Sequence, residues 1–302
     1  MKSLKILLFG KNGQVGWESQ LSLSPLGELI ALDMLNTHLC GDLTNLQGTA
    51  KTIREVKPDI IVNAAAHTAV DKAESEGELA RTINTLAPGV MAQDASDSGA
   101  WLVHYSTDYV FDGSGDQPWL ETDTTGPLNV YGQTKLDGET AIRASGCHHF
   151  IFRTSLVYAT SGVNFAKTML KLAQTSDSLK VIDDQIGAPT GADLLADVTA
   201  QAIRMALQNP AVSGVYHLAA AGETSWHGYA LFVVDFARQA GVEIQVTPEA
   251  ILPVPSSAFA TAAKRPLNSR LNTDKIQNSF NLQLPHWQSG VTRMLTEILE
   301  KS

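Results

Sequence analysis

Tyr131 and Lys135 lie one helical turn apart in the segment Tyr131-Gly132-Gln133-Thr134-Lys135, so on a helix they share a face. A free phenol, with a pKa near ~10, is a weak acid–base partner at neutral pH. A neighbouring ammonium favours the phenolate and lowers that value. Such a tyrosine can donate a proton to a ketone oxygen as hydride reaches the carbon. Tyr–Lys pairs at this spacing also arise by chance on surface helices, so the pattern needs company. Ser106-Thr107-Asp108 provides it at the carboxyl end of the apolar run Trp101–Tyr105. Ligands of open α/β sheets bind outside strand carboxyl ends, which places the Thr107 hydroxyl where it can bond a carbonyl oxygen. Ser106 and Asp108 are adjacent candidates for cofactor or substrate contacts.

A second constellation follows the first apolar run. Gly10-Lys11-Asn12-Gly13-Gln14-Val15-Gly16 has three glycines at a strand-to-helix turn, where backbone can approach a pyrophosphate and a helix N-terminus supplies N–H groups. Gln14 and Val15 lie in this turn. Asp33 ends the next apolar run, about twenty residues on, where a carboxylate can bond the adenosine ribose. That placement favours NAD over NADP, whereas Lys11 in the loop could approach a 2′-phosphate. Asp33 also has a plain reading as a solvated strand end. Asp42-Leu43 is a further acid-plus-apolar pair suited to adenine. Asn63-Ala64-Ala65-Ala66-His67-Thr68 carries small side chains that leave room for a cofactor across the strand ends. His67 taken alone reads as a hydrogen-bonded loop residue.

These groups need a scaffold, and the apolar pattern provides one. Strands are expected at Ile6–Phe9, Leu29–Leu32, Asp59–Asn63, Trp101–Tyr105 and His149–Phe152, with helices over 13–23, 49–56, 78–98 and 130–144 between them. Continuous apolar strands alternating with helices indicate an α/β fold: a doubly wound parallel sheet of Rossmann type, covered on both faces. The second half is more mixed. Helices are expected near 164–174, 194–207, 227–240 and 288–299, strands at Lys180–Ile182 and Val215–Leu218, and an ordered Pro-rich loop over Leu252–Pro266. The expected division is a dinucleotide-binding domain over 1–152, joined by some later segments, and a smaller α/β substrate-binding lobe mainly over 153–302.

Composition narrows the function. The chain has 302 residues, 44% apolar and 18% charged, enough for a sizeable core. Its net charge of −9, with no basic run, argues against nucleic acid as a partner. A local basic pocket for an anionic substrate remains compatible with that charge. No stretch reaches the ~18 apolar residues of a membrane span, and the short apolar run before Gly10 lacks the length of a signal peptide. Cys40 and Cys147 have neither metal nor disulfide spacing. The expected location is cytoplasmic.

The GxxGxxG loop, Ser106–Gly113 (STDYVFDG), Tyr131–Lys135 (YGQTK) and Arg153–Ala159 (RTSLVYA) together resemble the extended short-chain dehydrogenases. Asn63–Glu74, Asp183–Gly191 and Arg265–Leu271 extend the likeness, which is similar end to end to the dTDP-4-dehydrorhamnose reductase branch. The resemblance implies reduction of the C4 ketone of a dTDP-4-dehydro-6-deoxy sugar by NADPH or NADH. It implies Thr107, Tyr131 and Lys135 as the catalytic trio. It further implies cofactor contacts from Gly13, Gln14, Val15, Asp33, Asp42, Leu43, Ala66, His67 and Thr68, and sugar contacts from Thr107 and Asp108. Two other readings stay open on the same scaffold. One is a reductase or epimerase of another nucleotide sugar. The other is a non-catalytic, NADP-binding regulatory subunit of methionine adenosyltransferase, against which the intact trio speaks.

Leu156 is a departure, because the family often has Trp there, stacked near the sugar or nicotinamide. The resemblance also implies a homodimer with Mg²⁺ at carboxylates matching Glu18, Asp193 and Glu297. Asp193 is a methylene shorter than the usual Glu, which would make ligation water-mediated. The three also have a plain reading as exposed helix acids. Arg265 and Arg270 flank Pro266-Leu267-Asn268-Ser269. Their planar forks suit them to a substrate diphosphate.

Overall fold

The structure, a computed structural model, describes residues 3–300. In chain order its first half comprises β1 (Leu4–Phe9), α1 (Gln14–Leu23), β2 (Gly27–Leu32), α2 (Leu46–Val56), β3 (Ile60–Asn63), α3 (Val70–Ala73), α4 (Gly77–Arg81), α5 (Ala87–Ser98), β4 (Trp101–Thr107), α6 (Val130–Ser145) and β5 (His149–Thr154). The second half comprises β6 (Val157–Tyr158), α7 (Phe165–Ala173), β7 (Leu179–Ile182), β8 (Ile186–Gly187), β9 (Thr190–Gly191), α8 (Ala192–Ala206), β10 (Gly214–His217), β11 (Thr224–Ser225), α9 (Trp226–Gln239), β12 (Ile251–Val254), α10 (Asp274–Phe280) and α11 (Trp287–Leu299).

Six strands form one sheet in the order β10-β5-β4-β3-β1-β2, and every pair in it is parallel. Alternation along each strand divides the core. Ile6, Leu8, Ile60, Val62, Val103, Phe150 and Phe152 pack on one face with Leu195, Val198 and Ile203 of α8. Leu7, Phe9, Ile61, Leu102 and Ile151 pack on the other with Ile53 of α2, Met91 of α5 and Ile142 of α6. Successive crossovers leave β1 in opposite directions, so β1 and β3 bound the switch point where such sheets receive ligands.

The second half divides its allegiance. Strand β10 joins the sheet beside β5, and α8 lies against α1. The remainder builds a second core from Met169, Leu170, Val181, Tyr229, Val233, Trp287, Val291 and Leu295.

Two expectations are corrected, and one helix was not anticipated. The helix over 78–98 is interrupted: α4 runs into a π turn at Thr82–Leu86 before α5. Pro88 has no N–H to give the Asn84 carbonyl, and the wider turn lets Ala87 N–H bond Thr82 O instead. The Asn84 carbonyl then lies against Gly138 of α6, where a Cβ would collide with it. Part of the Pro-rich loop is strand β12, paired parallel to β7. Pro253 is tolerated there because the strand lies at a sheet edge. Helix α10 lacked a strong apolar signal; it buries Ile276 and Phe280 only.

Candidate active site

Beyond β1 the chain turns at Gly10 with φ +87°. A side chain there would be strained in the left-handed region, and its Cβ would lie 2.7 Å from Ala65 N. Gly16 is held against the Gly10 carbonyl, where a Cβ would collide. Gly13 differs. A Cβ there would meet only Gly10 O at 3.4 Å and Ala64 O at 3.9 Å. Its open side faces a cavity of ≈ 760 Å³, within the size range of cofactor sites.

Gly10, Gly13, Gln14, Val15, Asp33, Asp42, Leu43, Ala66, Thr68, Ser106, Tyr131 and Lys135 all line this cavity. Gly16 does not; its part is packing within the loop. Nor does His67, whose Nε2 lies 2.9 Å from Glu76 Oε2 and whose backbone N–H bonds Asn84 Oδ1 at 2.8 Å. Asp33 accepts from Asn12 Nδ2 at 2.5 Å and lies 3.5 Å from Lys11 Nζ. The Leu35 backbone N–H, then Lys11 and Asn12, draw its carboxyl below the ordinary range. A carboxylate and an ammonium therefore stand together where the adenosine ribose is expected. The sequence reading passed over Met34 and Leu35, both strongly exposed beside the cavity. An exposed apolar pair directly after Asp33 was the available signal.

A second cavity of ≈ 410 Å³ adjoins the first, and Gln14, Thr68, Ser106, Tyr131, Thr154 and Val157 line both. Thr107, Asp108, Tyr109, Leu156, Gln185 and Trp226 are also part of its wall. Tyr131 stands at the junction. Asn129 caps α6, accepting from Gly132 N at 2.8 Å, and so fixes the helix start one residue before Val130. Thr107 lies close enough to favour ionisation of the Tyr131 hydroxyl, and the Tyr131 ring meets Tyr109 edge-on at 5.5 Å. Thr107 Oγ1 also lies 3.1 Å from Asp108 Oδ1 and 3.2 Å from Tyr109 N.

The protonation of the trio departs from the sequence expectation. Burial pushes Tyr131 up to about 12, aided by the Asp108 charge and opposed by Thr107. Lys135 does not act on it appreciably; burial instead brings Lys135 down to about 8, against the pull of Glu139. Tyr131 is thus held as a neutral phenol, a proton donor. Burial also raises Asp108 to about 6. Asp108 Oδ2, Thr154 Oγ1 and Ser155 Oγ are buried without partners, and all three residues line the second cavity. Buried polar atoms normally have partners, so this wall is shaped for a polar ligand.

Other expected contacts are redirected. The Ser106 hydroxyl donates to Glu139 Oε1 at 2.6 Å, within a buried pair in which Arg153 Nη2 lies 2.7 Å from Glu139 Oε2. Arg265 and Arg270 are not among the cavity-lining residues. Arg265 Nη2 lies 2.7 Å from Asp71 Oδ2, and Arg270 Nε lies 2.6 Å from Glu223 Oε2. Arg265 is still near enough to the cavity-lining Tyr109 to act on it electrostatically. Leu156 has φ +48°, an uncommon conformation for a leucine. Gly187 leaves room for its Cδ1, which lies 2.8 Å from where a Gly187 Cβ would sit.

Glu18, Asp193 and Glu297 gather at a separate small cavity of ≈ 50 Å³. Arg293 already holds two of them, Asp193 at 3.2 Å and Glu297 at 3.3 Å. Burial, then Asp193 and Glu297, raise the Glu18 carboxyl. Among the described residues, no group of three His, Cys, Asp or Glu is arranged to hold a metal. As placed, Arg293 engages two of the three carboxylates, and the cluster does not form a Mg²⁺ ligand set. Among the described residues no helix is long and apolar enough to cross a membrane.

The RmlD substrate binding domain model matches residues 4–300. The chain is 60% identical to the dTDP-4-dehydrorhamnose reductase of Salmonella typhimurium over 295 residues, covering 98% of each chain. A solved dTDP-4-dehydrorhamnose reductase from Clostridium acetobutylicum superimposes with a TM-score of 0.86 at 34% identity, covering 98% of this chain and all of that one. One from Bacillus anthracis, solved in complex with NADP, gives 0.85 at 32% identity, over 98% and 99% of the two chains.

Proposed function

Since the chain belongs to the RmlD substrate-binding-domain family of dTDP-4-dehydrorhamnose reductases, we propose a division of labour among its own residues for that family's reaction. The protein is an NAD(P)H-dependent oxidoreductase that reduces the C4 ketone of dTDP-4-dehydrorhamnose to dTDP-L-rhamnose. The observation that carries the assignment is Tyr131, which lines both the cofactor-sized and the ligand-sized cavity, with Thr107 lining the second.

The dinucleotide fits the larger cavity, where Gly13 offers an open backbone face at the N-terminus of α1. Asp33, with Lys11 beside it, takes the adenosine ribose, and Asp42 and Leu43 take the adenine side. When bound, the nicotinamide supplies the hydride. Thr107 and Tyr131 bond the ketone oxygen as charge develops on it, and Tyr131 gives up its proton there. A phenol raised to about 12 is protonated throughout the neutral range, the form this step requires. Asp108 and the unpartnered Thr154 and Ser155 hydroxyls receive sugar hydroxyls, and Leu156 with Trp226 forms the apolar side. Arg265, at the rim, is assigned to the diphosphate after release from Asp71, with Arg270 as a second candidate. In this assignment β1 to β5, β10 and α8 carry the cofactor, and the second core carries the sugar nucleotide.

No step is assigned to Mg²⁺. A homodimer is our proposal for the assembly, and a cytoplasmic location our proposal for its place. Oxidation of NADPH and of NADH by the purified protein with dTDP-4-dehydrorhamnose tests the reading and ranks the two cofactors. Turnover of another nucleotide-4-ketosugar in its place, with none of this substrate, would redirect the sugar-side assignments.

A further inference from the structure

Tyr131, Lys135 and Glu139 follow one another at single-turn intervals along α6 and share a face of the helix. Glu139 is fully buried, Arg153 of β5 is 3% exposed and Ser106 of β4 is 4% exposed. Ser106 and Arg153 are register neighbours in the sheet, and the Glu139 carboxylate holds both. Its Oε1 accepts from Ser106 Oγ at 2.6 Å and from Arg153 Nε at 2.9 Å, and its Oε2 accepts from Arg153 Nη2 at 2.7 Å. One turn earlier, Lys135 Nζ donates to the Tyr105 carbonyl at 2.6 Å. Two consecutive positions at the carboxyl end of β4 are therefore tied to α6, directly before Thr107. The ion pair is a poor device for stability alone. Buried ions lose their hydration, and apolar residues of similar volume often serve as well or better. Arg153 Nη1 is also buried without a partner, which adds to the cost. The guanidinium lies over the Phe111 ring at 5.1 Å. Neither Glu139 nor Arg153 is among the residues lining the two cavities, so any part they have in the reaction passes through their neighbours.

We propose that Glu139 and Arg153 are a positioning pair for the reduction: the carboxylate fastens the carboxyl end of β4 to the face of α6 that carries Tyr131, and it keeps a negative charge beside Lys135. The role rests on the reductase reading, which makes Tyr131 the proton donor and Thr107 its companion at the ketone oxygen. Arg153 sets the carboxylate, because its planar fork engages both oxygens at once. An ionised carboxylate only accepts, so the Ser106 proton points at Glu139. Thr107, the final residue of β4, then leaves the sheet from a fixed point and lines the same cavity as Tyr131. Charge follows the same geometry. Burial works against the Lys135 ammonium, and Glu139 favours it. The other groups packed around Lys135 do not supply that charge. His104 of β4, 3.1 Å from Lys135 Nζ, is kept neutral by burial and by the lysine charge itself. Tyr131 is a neutral phenol, and the Asp108 charge acts on it. Asn63 of β3, which bonds His104, is uncharged. Arg153 of β5 is a cation engaged by Glu139.

Two variants of the full chain test the pair. Glu139→Leu combined with Arg153→Met removes both charges together, so neither is stranded and the fold should melt near the wild-type temperature. Its kcat for dTDP-4-dehydrorhamnose should still fall by about ten- to a hundredfold, the cost of misplacing a catalytic group. KM and NADPH affinity should stay nearly unchanged, because neither residue lines a cavity. A merely structural pair would give native melting with native kcat, and that result overturns the proposal. Glu139→Gln is read without cofactor or substrate, by carbon-13 NMR of the lysine side chains, with Lys135→Met assigning the signal. The Lys135 titration should move down by about one pH unit, since a negative charge is lost and the Arg153 charge is left uncompensated. A titration that stays in place in the folded Glu139→Gln chain also overturns the proposal. Wild-type turnover is the reference: its absence with this substrate would fail the reductase reading, whereas the lysine titration is decided either way.

Discussion

Replacing Tyr131 with Phe removes a single oxygen from the junction of the two cavities. The ring's edge-on contact with Tyr109 at 5.5 Å is retained. Thr107 keeps Asp108 and the Tyr109 N–H, so no donor or acceptor is stranded there. The stability change should therefore stay within about 1.5 kcal/mol, the scale of one hydrogen bond. Catalysis should respond far more strongly. Loss of a positioned general acid costs ~10²–10⁴ in rate, or ~2.7–5.4 kcal/mol of barrier at 1.36 kcal/mol per tenfold. The loss should appear in kcat, with NADPH affinity nearly unchanged, because the cofactor wall lacks only this hydroxyl. The sign of the wild-type pH response is fixed too. A phenol at about 12 stays protonated from pH 6 to 9, so ketone reduction should not gain from deprotonation of Tyr131 within that window. Steady-state NADPH oxidation with the dTDP-sugar, and fluorescence titration of NADPH, measure both quantities. A Phe variant keeping more than half of wild-type turnover would falsify the acid assignment.

Three further outcomes are expected. Glu139→Leu strands the buried Arg153 charge and should destabilise the fold by about 3–5 kcal/mol, read by urea unfolding; a loss under 1 kcal/mol would mean that Arg153 finds other partners. Leu156→Trp places an aromatic face on the sugar-side wall and should lower KM for the dTDP-sugar, whereas unchanged KM and kcat would reduce Leu156 to packing. Arg265→Ala and Arg270→Ala should each weaken dTDP binding by ~1.5–3 kcal/mol, roughly ten- to more than a hundredfold in Kd, without altering NADPH affinity; unaltered dTDP affinity in calorimetry removes that arginine from the diphosphate site.

The sheet and most residues lining the larger cavity were legible because their signals are local. Apolar strands such as Ile6–Phe9 and Ile60–Asn63 declare themselves by burial on both faces, and the glycine loop by its position between β1 and α1. What stayed hidden depends on partners distant in sequence. The π turn at Thr82–Leu86 combines Pro88 with the close approach of Gly138 on another helix. Arg265 read as a free cation because Asp71, its partner, is 194 residues upstream. Trp226 and Gln185, which bond each other at 3.2 Å on the sugar-side wall, come from separate elements with no shared motif.

Tyr131 and Lys135 show the limit most sharply. Spacing put them one helical turn apart, yet proximity alone gave the opposite direction for the shift of the phenol. The sequence argument weighed the Coulomb effect of an ammonium, joined by that of an oxidised nicotinamide, on a phenol, which lowers the phenol's pKa. Desolvation is the opposing effect, and it depends on how completely the fold covers both groups. With Lys135 2% exposed, burial removes proton affinity from the very group that was to supply the positive charge. It also disfavours the phenolate that this charge was to stabilise. Both shifts have the same cause, so Tyr131 moves up to about 12 while Lys135 moves down to about 8. In this site, spacing specifies which groups meet, while burial shifts the charge they carry when they do.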